Sequence, residues 1–254
     1  MRIVTWNVNS LKAREDFVGH YLDEEAPDVL CLQELKMETE KVPTELFESR
    51  GYYLAIHGQK SWNGVLIAAK SPLTDVHRGL PADEGQARAI AASVDGIRLV
   101  NLYCPQGQAA DSPKFTYKLA FYDSLCEWLG GSDLSEPWVV LGDLNVAPRP
   151  EDVWSVEEMA GIPSYHPEEH ERWARLLELG LHDEVAPRVA PGTFTYWDYR
   201  FGAFHRNIGM RIDHILLSEP LRSRVASAFV GREWRKKKHG LTASDHAPVH
   251  LDLD

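Results

Sequence analysis

A carboxylate that could act as a base and an amide that could orient a water follow a short apolar run near the middle of the chain. They are Asp143 and Asn145, in the sequence Gly-Asp-Leu-Asn at 142–145, and the run at 138–141 predicts a buried strand. A carboxylate can accept a proton or bind a cation, and an amide can orient a water. If the chain remains extended, both side chains project together, since residues two apart share a face. The alternative is a turn in which both bond only the local backbone.

Several other predicted strands end in a residue that could act as an acid, a base or a metal ligand. Each residue taken alone has a structural explanation, such as a turn former or a satisfied buried pair, but these explanations do not predict so many cases. Carboxylate and amide oxygens suit Mg²⁺ or Mn²⁺, and one histidine among carboxylates fits phosphodiester hydrolysis. These residues are Asn7, Glu34, Tyr103, Asp213, and Asp245 with His246.

The elements that must position these residues are strands in runs, interrupted by a few helices. This pattern predicts an α+β sandwich rather than a regular βαβ alternation. A proline-rich stretch at 146–167 has little periodicity and predicts a long surface loop. The predicted helices follow Ser10 and lie at 44–50, 114–129 and 168–179. The predicted strands lie at 2–6, 28–32, 52–57, 64–70, 88–95, 97–104, 138–142, 211–217, 225–231 and in a last segment through Leu253.

The composition is that of a globular protein. The chain has 254 residues, of which 44% are hydrophobic, enough for the core of one large domain or two small ones. No stretch approaches the ~20 apolar residues of a membrane span, and the N-terminus turns polar too early for a signal peptide. We therefore expect a cytoplasmic protein that does not bind membranes. The three cysteines have no CxxC spacing and lie in apolar stretches, so we expect buried free thiols.

The charge balance limits how the protein could bind nucleic acid. The formal net charge of −11 argues against binding through the overall field, because phosphates would be repelled. A local basic face remains compatible with this charge. The candidates are a cluster at 232–238 and a scatter comprising Arg200, Arg206 and Arg211, although either could be a solvated loop.

Nine segments, in order along the chain, resemble the motifs of the exonuclease III family of abasic-site endonucleases, within the endonuclease/exonuclease/phosphatase superfamily. The match runs from residue 2 to about residue 251, and the ordered set is far more specific than any one motif. The segments are Trp-Asn-Val-Asn-Ser at 6–10, Leu-Gln-Glu at 32–34, His-Gly-Gln-Lys-Ser-Trp-Asn-Gly at 57–64, Gln-Ala-Arg at 86–88, Leu-Tyr-Cys-Pro at 102–105, Gly-Asp-Leu-Asn at 142–145, Trp-Asp-Tyr-Arg at 197–200, Arg-Ile-Asp-His at 211–214 and Ser-Asp-His-Ala-Pro at 244–248.

The resemblance implies a fold and an activity. The fold is a four-layer α/β sandwich, in which two mixed, mainly antiparallel sheets pack face to face with helices on both outer faces, in one catalytic domain spanning 1–254. The activity is Mg²⁺-dependent cleavage of duplex DNA on the 5′ side of abasic sites, with 3′→5′ exonuclease and 3′-phosphodiesterase activities and with Mn²⁺ as a substitute. The implied partner is duplex DNA with abasic sites or 3′ ends, and the protein is expected to be a monomer.

The resemblance also assigns metal ligands. Glu34 resembles the main metal carboxylate and Asn7 its partner. Asn9 corresponds to an outer ligand, and Asp245 to a ligand of a second metal position. The sequence leaves the number of metals, one or two, open.

The resemblance assigns catalytic roles to five residues. Asp143 resembles the base that activates the attacking water, and Asn145 the residue that orients this water. A placed base is worth ~10²–10⁴-fold in rate. His246 resembles the phosphate contact that stabilises developing charge, Asp213 the carboxylate that orients it, and Tyr103 a further contact on the phosphate side.

The remaining assignments concern DNA. Family members place the sugar of the abasic nucleotide in a small apolar pocket, which corresponds here to Tyr196, Met210 and Ile212. Relatives often have Trp or Phe at the first position and some have Trp at the second, which leaves the balance of endonuclease to exonuclease activity open. Candidate backbone contacts, which position the duplex without reading its sequence, are Lys60, Gln106, Lys114, Arg200 and Arg206.

Two other functions compete with this one. Another phosphoesterase of the superfamily, acting on a small phosphoester, would use the same catalytic core, but the segments at 57–64 and 197–200 favour DNA. A non-catalytic DNA-binding member would be expected to lack some of the catalytic residues, and all of them are present.

Overall fold

The computed structural model describes residues 1–81 and 85–254, and its strands form two six-stranded sheets. The first sheet has the order β11-β12-β1-β2-β4-β3 and the second β5-β6-β7-β8-β10-β9. The strands of the described residues are β1 (Arg2–Asn7), β2 (Val29–Gln33), β3 (Tyr53–His57), β4 (Val65–Ala69), β5 (Thr74–Arg78), β6 (Ala89–Val94), β7 (Ile97–Tyr103), β8 (Trp138–Asp143), β9 (Leu181–Asp183), β10 (Asp213–Ser218), β11 (Val225–Val230) and β12 (Val249–Leu253).

Three long helices and three short ones are found in the described part of the chain. The α1 helix begins after Ser10, whose hydroxyl accepts a hydrogen bond from the backbone N–H of Ala13 at 3.4 Å, as predicted. The α3 helix begins in the same way at Ser112. The helices are α1 (Leu11–Glu25), α2 (Glu45–Glu48), α3 (Pro113–Gly130), α4 (Val156–Met159), α5 (Pro167–Glu178) and α6 (Glu219–Arg222).

The sheets pack face to face, and helices cover their outer faces. Alternate residues of one strand therefore enter different cores. Ile3 lies in the core between the sheets, whereas Val4 lies in the core beneath α1. In β8, Leu141 faces the other sheet and Val140 packs with residues of α3 and α5. The predicted four-layer sandwich is confirmed, and burial on both faces explains why these strands are continuously apolar.

Most predicted elements agree with the structure to within one or two residues at each end, but two strands were missed. The β5 strand is an edge strand whose residues are all exposed, so it has no apolar alternation to identify it. The β9 strand is only three residues long. The predicted buried free thiols at Cys31, Cys104 and Cys126 are confirmed.

The prediction of a long surface loop at 146–167 is wrong in part. This segment contains a 3₁₀ turn at Pro150–Asp152 and the short helix α4. Val146 is fully buried in the core of the second sheet. Asp152 is buried as well, because its carboxylate accepts hydrogen bonds from Arg211 Nε at 2.7 Å and Nη2 at 3.0 Å. Arg211 is therefore a structural cation and not part of a basic surface.

None of the helices found in residues 1–81 and 85–254 combines the length and the apolar composition that a bilayer crossing requires.

Candidate active site

Three of the predicted catalytic residues are neighbours in the second sheet. In its register, Asp143 at the end of β8 pairs with Tyr103 on the parallel strand β7 and with Asp213 on the antiparallel strand β10. Asp213 begins its strand, which corrects the prediction that it ends one. The start of an antiparallel strand lies at the same sheet edge as the ends of its neighbours. The three side chains therefore meet at one edge.

Gly142 makes this approach possible. Its φ is 139°, and a Cβ at this position would lie 2.0 Å from the carbonyl oxygen of Leu102 on β7. Any other residue would displace the neighbouring strand. The glycine before Asp143 therefore allows the end of β8 to remain paired while it delivers the carboxylate to the edge.

The first sheet contributes Asn7 and Glu34 from the ends of β1 and β2. The Asn7 amide Nδ2 donates to Glu34 Oε1 at 2.9 Å and to Asp143 Oδ2 at 2.8 Å. Its Oδ1 accepts from the backbone N–H of Asn9 at 2.9 Å. Asn7 therefore links the two carboxylates across the two sheets, a connection that its predicted role as a metal ligand did not include.

Asp143 and Asn145 do not lie on one extended strand. Asn145 adopts a left-handed conformation with φ 51°, and its backbone N–H donates to Asp143 Oδ1 at 3.0 Å. Of the two alternatives, an extended chain and a local turn, the structure shows the turn, because an Asp carboxylate readily accepts from the residue two positions on. Both side chains nevertheless line the same cavity. Asn145 Nδ2 donates to the carbonyl of Cys104 at 3.0 Å, which fixes its orientation.

His246 is held by a carboxylate. Its Nδ1 lies 2.8 Å from Asp213 Oδ2, and its Nε2 lies 3.9 Å from Asp143 Oδ2. Burial alone would lower the pKa of this histidine, but the carboxylates of Asp213, Asp143 and Asp245 outweigh it and raise the pKa to about 10. The imidazole is therefore a cation at neutral pH. With Nδ1 bonded to Asp213, Nε2 remains as a donor.

The Asp143 carboxyl is a stronger base than an ordinary aspartate. Burial raises its pKa to about 7, with the Asp213 carboxylate adding to the rise and the His246 cation opposing it. Glu34 behaves differently. Burial opposes its ionisation, but the Lys36 ammonium, 2.8 Å from Oε2, and the Asn7 amide hold its pKa below the usual range. The site therefore pairs an ionised carboxylate with one poised near neutrality.

Asp245 and His246 precede β12 and do not follow a strand, which corrects the prediction that they close one. Asp245 Oδ1 accepts from Asn9 Nδ2 at 2.9 Å. The hydroxyl of Ser244 donates to the backbone carbonyl of Asn7 at 2.7 Å. These bonds hold the segment against the end of β1, so the predicted ligands from both parts of the chain are adjacent.

A cavity of about 310 Å³ lies over these groups. Most of the predicted site residues line it. The exceptions are Asn7 and Asp213, which are fully buried, and the four basic residues predicted to contact DNA, which lie elsewhere. The Tyr196 ring lies 4.9 Å from the His246 ring. Tyr196 also bridges to Met210 and His246 through its backbone. The predicted pocket residues Tyr196, Met210 and Ile212 are therefore together, beside the candidate catalytic residues Asp143 and His246.

The four basic residues predicted to contact DNA lie in cavities that adjoin this one. Lys114 lines a cavity of about 590 Å³ together with Tyr103 and Glu34. Lys60 lines one of about 390 Å³. Arg200 and Arg206 line a third, of about 430 Å³, whose wall is otherwise mainly apolar and shares Tyr196 and Met210 with the catalytic cavity. Arg200 is exposed and pairs with Asp198 at 2.6 Å.

The basic cluster at 232–238 is largely engaged within the protein. The Arg232 guanidinium lies over the Phe204 ring at 4.3 Å, and the buried Arg235 donates to the carbonyl of Trp197. Lys236 pairs with Glu233 at 2.7 Å. The two alternatives for this cluster were a basic face and a solvated loop, and the structure instead gives Arg232 and Arg235 a packing role.

Sequence reasoning missed three residues of the site. Lys36 approaches Glu34 and also donates to Asn9 Oδ1, and its position two residues after Glu34 could have identified it. Ser164 lines the cavity, with a buried hydroxyl that has no hydrogen-bond partner in the described structure. Lys118 is fully buried behind Asn145. Neither Ser164 nor Lys118 carries a sequence signal, because Ser164 lies in a proline-rich loop and Lys118 resembles a surface lysine.

The donor set fits a divalent cation. Glu34, Asn9 and Asp245 border the cavity with carboxylate and amide oxygens, whereas Asp143 and Asp213 face the His246 imidazole. Carboxylate oxygens dominate this set, and thiolates are absent from it, as hard cations prefer. The residues present can therefore hold a metal ion.

The two-sheet sandwich and this cluster of carboxylates, amides and one histidine define a phosphoester hydrolase. The chain belongs to the endonuclease/exonuclease/phosphatase family, whose model matches residues 4–246. The resemblance to the exonuclease III family is confirmed. The chain is 34% identical to exodeoxyribonuclease III of Haemophilus influenzae, with all of both chains covered.

Solved structures give the same result. A 3′-5′ exonuclease of Neisseria meningitidis matches with a TM-score of 0.94 at 40% identity, covering 100% of both chains. An AP endonuclease of Archaeoglobus fulgidus matches with a TM-score of 0.94 at 35% identity, covering 100% of this chain and 99% of the other.

Proposed function

We propose that this chain is a Mg²⁺-dependent DNA repair nuclease. It cleaves the phosphodiester 5′ to abasic sites in duplex DNA and has 3′→5′ exodeoxyribonuclease and 3′-phosphodiesterase activity. The observation that carries the proposal is the junction of Asn7, Glu34 and Asp143 beside the pair of Asp213 and His246. The names of the relatives, an exodeoxyribonuclease, a 3′-5′ exonuclease and an AP endonuclease, support it.

The reaction begins with a water activated by Asp143. A carboxylate with a pKa near 7 is an effective base at neutral pH, because it is ionised and still binds a proton well. Asn145 has its Nδ2 committed to Cys104, so its Oδ1 is left to accept a hydrogen bond from this water. The proton passes to an Asp143 carboxylate oxygen as the water oxygen attacks phosphorus.

His246 stabilises the transition state. As an imidazolium held by Asp213, it donates through Nε2 to a phosphate oxygen on which negative charge develops. Tyr103, on the strand beside Asp143, lines the same cavity and provides a further contact to the phosphate.

Glu34 would hold Mg²⁺, with Asn9 and Asp245 as further oxygen ligands. When bound, Mg²⁺ neutralises phosphate charge and stabilises the departing 3′ oxygen. The ionised state of Glu34 suits it to this role. Asn7 contributes by fixing Glu34 relative to Asp143.

The substrate class follows from the shape and the lining of the cavity. Enzymes that extrude a nucleotide from the duplex pay least where the base is damaged or unpaired, so an abasic nucleotide leaves the stack at low cost. A cavity of about 310 Å³ lined by Tyr196, Met210 and Ile212 offers an apolar contact to a sugar without a base. The neighbouring Lys60, Lys114 and Arg206 offer contacts to phosphates, which carry no sequence information. A basic surface confined to this face is compatible with the net charge of −11.

The proposed enzyme is one catalytic domain that acts as a monomer. The family model covers 4–246, and elements from both ends of the chain meet in one sheet, since β1 pairs with β12. All of the groups assigned to catalysis come from one chain.

The test is a gel assay on a duplex with one central tetrahydrofuran abasic analogue, beside an undamaged duplex. We expect a single cut on the 5′ side that requires Mg²⁺, is abolished by EDTA and is lost in His246→Asn but not in the surface control His77→Gln. Progressive 3′ shortening of both duplexes without a specific cut would overturn the endonuclease assignment. Absence of cleavage on either duplex would overturn DNA as substrate and favour a small phosphoester.

A further inference from the structure

A second group of potential metal ligands shares no residue with the candidate active site. His20 and Glu24 lie one turn apart on α1 and therefore on one face of the helix. His239, which follows the 3₁₀ turn Arg232–Arg235, contacts His20, with ring centroids 4.5 Å apart. One ligand atom from each of the three residues lies within 4.8 Å of the other two.

His239 is presented by a tight turn. The backbone N–H of Leu241 donates to the carbonyl of Lys238 at 2.8 Å, and the two residues between them have φ values of 51° at His239 and 79° at Gly240. Two successive positive φ values are the pattern of a type I′ turn. The conformation of His239 is uncommon for a residue with a side chain, although His adopts it more readily than most. The turn places the exposed imidazole in contact with the His20 ring on α1.

The nitrogen of His20 that faces the group is unsatisfied. His20 Nε2 is shielded from solvent and forms no hydrogen bond with any residue that the structure describes. It lies 3.1 Å from Glu24 Oε1, but the contact lacks the direction of a hydrogen bond. A buried polar atom without a partner is costly, and a ligand at this point would remove the cost.

We propose that His20, Glu24 and His239 bind a transition-metal ion of the Zn²⁺ class, with water completing a tetrahedral shell. Two imidazole nitrogens and a carboxylate oxygen are a donor set that Zn²⁺ prefers and Mg²⁺ does not. Zinc bonds of about 2.0–2.1 Å place tetrahedral ligand atoms roughly 3.3 Å apart. The ligand atoms of the three side chains lie within 4.8 Å of one another, so rotation of these side chains would bring them to the required separation.

One neighbouring charge opposes the ion. The Lys238 ammonium lies 3.4 Å from Glu24 Oε2 and 3.7 Å from the centre of the Trp234 ring. It neutralises part of the carboxylate charge, so the site binds metal more weakly than an uncompensated one. The bound ion would tie α1 to the turn at 238–241, a few residues before Asp245 and His246, and would stabilise the folded protein by binding it preferentially.

The test is a titration of the metal-free 254-residue chain with Co²⁺ in excess Mg²⁺, which is added to occupy the proposed metal position of the active site. We expect one Co²⁺ per chain, with the visible absorption of tetrahedral Co²⁺ and displacement by Zn²⁺. His20→Gln and His239→Gln should each weaken binding by at least ~10-fold. The matched control His77→Gln, on the exposed strand β5, should bind as the parent does. Asp143→Asn should also retain the signal, because the active site is a different cluster.

Two further measurements decide the matter. Lys238→Met keeps the length and the packing of the side chain and removes its charge, so it should tighten Co²⁺ binding. In the same excess of Mg²⁺, Zn²⁺ should raise the Tm of the parent and leave the Tm of His239→Gln unchanged. Undiminished Co²⁺ absorption in both histidine variants, no Co²⁺ binding by the parent, or an equal rise in Tm for His239→Gln would each overturn the proposal.

Discussion

Lys118 and Glu169 form an ion pair that is fully buried between α3 and α5, and each partner also holds a loop of the candidate active site. Lys118 Nζ donates to the carbonyl oxygens of Asn145 at 2.7 Å and Gln106 at 3.2 Å. The Glu169 carboxylate accepts from the backbone N–H of Ser164 at 3.1 Å. One ion pair thus fastens three segments that line the catalytic cavity.

Removing the lysine charge should be costly to both stability and activity. In Lys118→Met, the Glu169 carboxylate remains buried without its cation, and such losses cost about 3–5 kcal/mol. We expect this loss in the free energy of unfolding from denaturant titration. The double variant Lys118→Met/Glu169→Gln should recover a large part of it, because no unpaired charge remains. Equal stabilities for the single and double variants would contradict this account.

Asp143→Asn should separate chemistry from binding. The amide keeps the size of the side chain and cannot accept the proton from water, so we expect cleavage to slow by at least ~10²-fold with DNA affinity preserved. Single-turnover cleavage and an equilibrium binding assay on the same duplex measure the two quantities. The surface variant Asp133→Asn is the matched control. Near-normal turnover in Asp143→Asn would remove this residue from the mechanism.

Glu34→Ala should raise the Mg²⁺ concentration needed for half-maximal cleavage, because Lys36 and Asn7 hold the pKa of Glu34 low and keep it available as a carboxylate ligand. A Mg²⁺ titration of the cleavage rate measures the change. Glu38→Ala, which removes a carboxylate paired with Lys41 outside the catalytic cavity, serves as control. A titration of Glu34→Ala that superimposes on that of the parent would show that the metal is held elsewhere.

The cleavage rate should depend on pH with two limbs. Asp143 must be ionised to act as base, so the rate should rise as the pH passes its pKa of about 7. In Mg²⁺ this rise should occur at lower pH, because a nearby cation favours the carboxylate. His246 must be charged, so the rate should fall as pH passes about 10. In Asp213→Asn, the loss of a negative charge lowers both pKa values, and both limbs should move to lower pH. Single-turnover profiles with unmoved limbs would exclude these assignments.

The sequence predicted which side chains the candidate site brings together better than it predicted how they are held. Alternating and continuous apolar runs identified the sheets, and the polar residues at their ends identified the site. The turn at Asp143 and Asn145 was not predictable in the same way, since an Asp-x-Asn sequence is compatible with both an extended strand and a local turn. Lys118 escaped notice because a lysine on an amphipathic helix is normally solvated, and only its partner 51 residues later explains its burial.

Ser164 should control the space available to the substrate. It lines the catalytic cavity, and its φ of 82° is a conformation that Asn and Gly tolerate better than most residues. Ser164→Asn adds bulk to the cavity without a severe backbone penalty, so we expect kcat/KM on the tetrahydrofuran duplex to fall by at least ~10-fold, or about 1.4 kcal/mol. Ser164→Gly suits the backbone and only enlarges the cavity, so it should cleave nearly as the parent does. Steady-state kinetics on this duplex measure both variants, and denaturant titration checks that their stabilities remain comparable. If Ser164→Gly lost as much activity as Ser164→Asn, the hydroxyl itself would be the contact that matters, and steric control would be excluded.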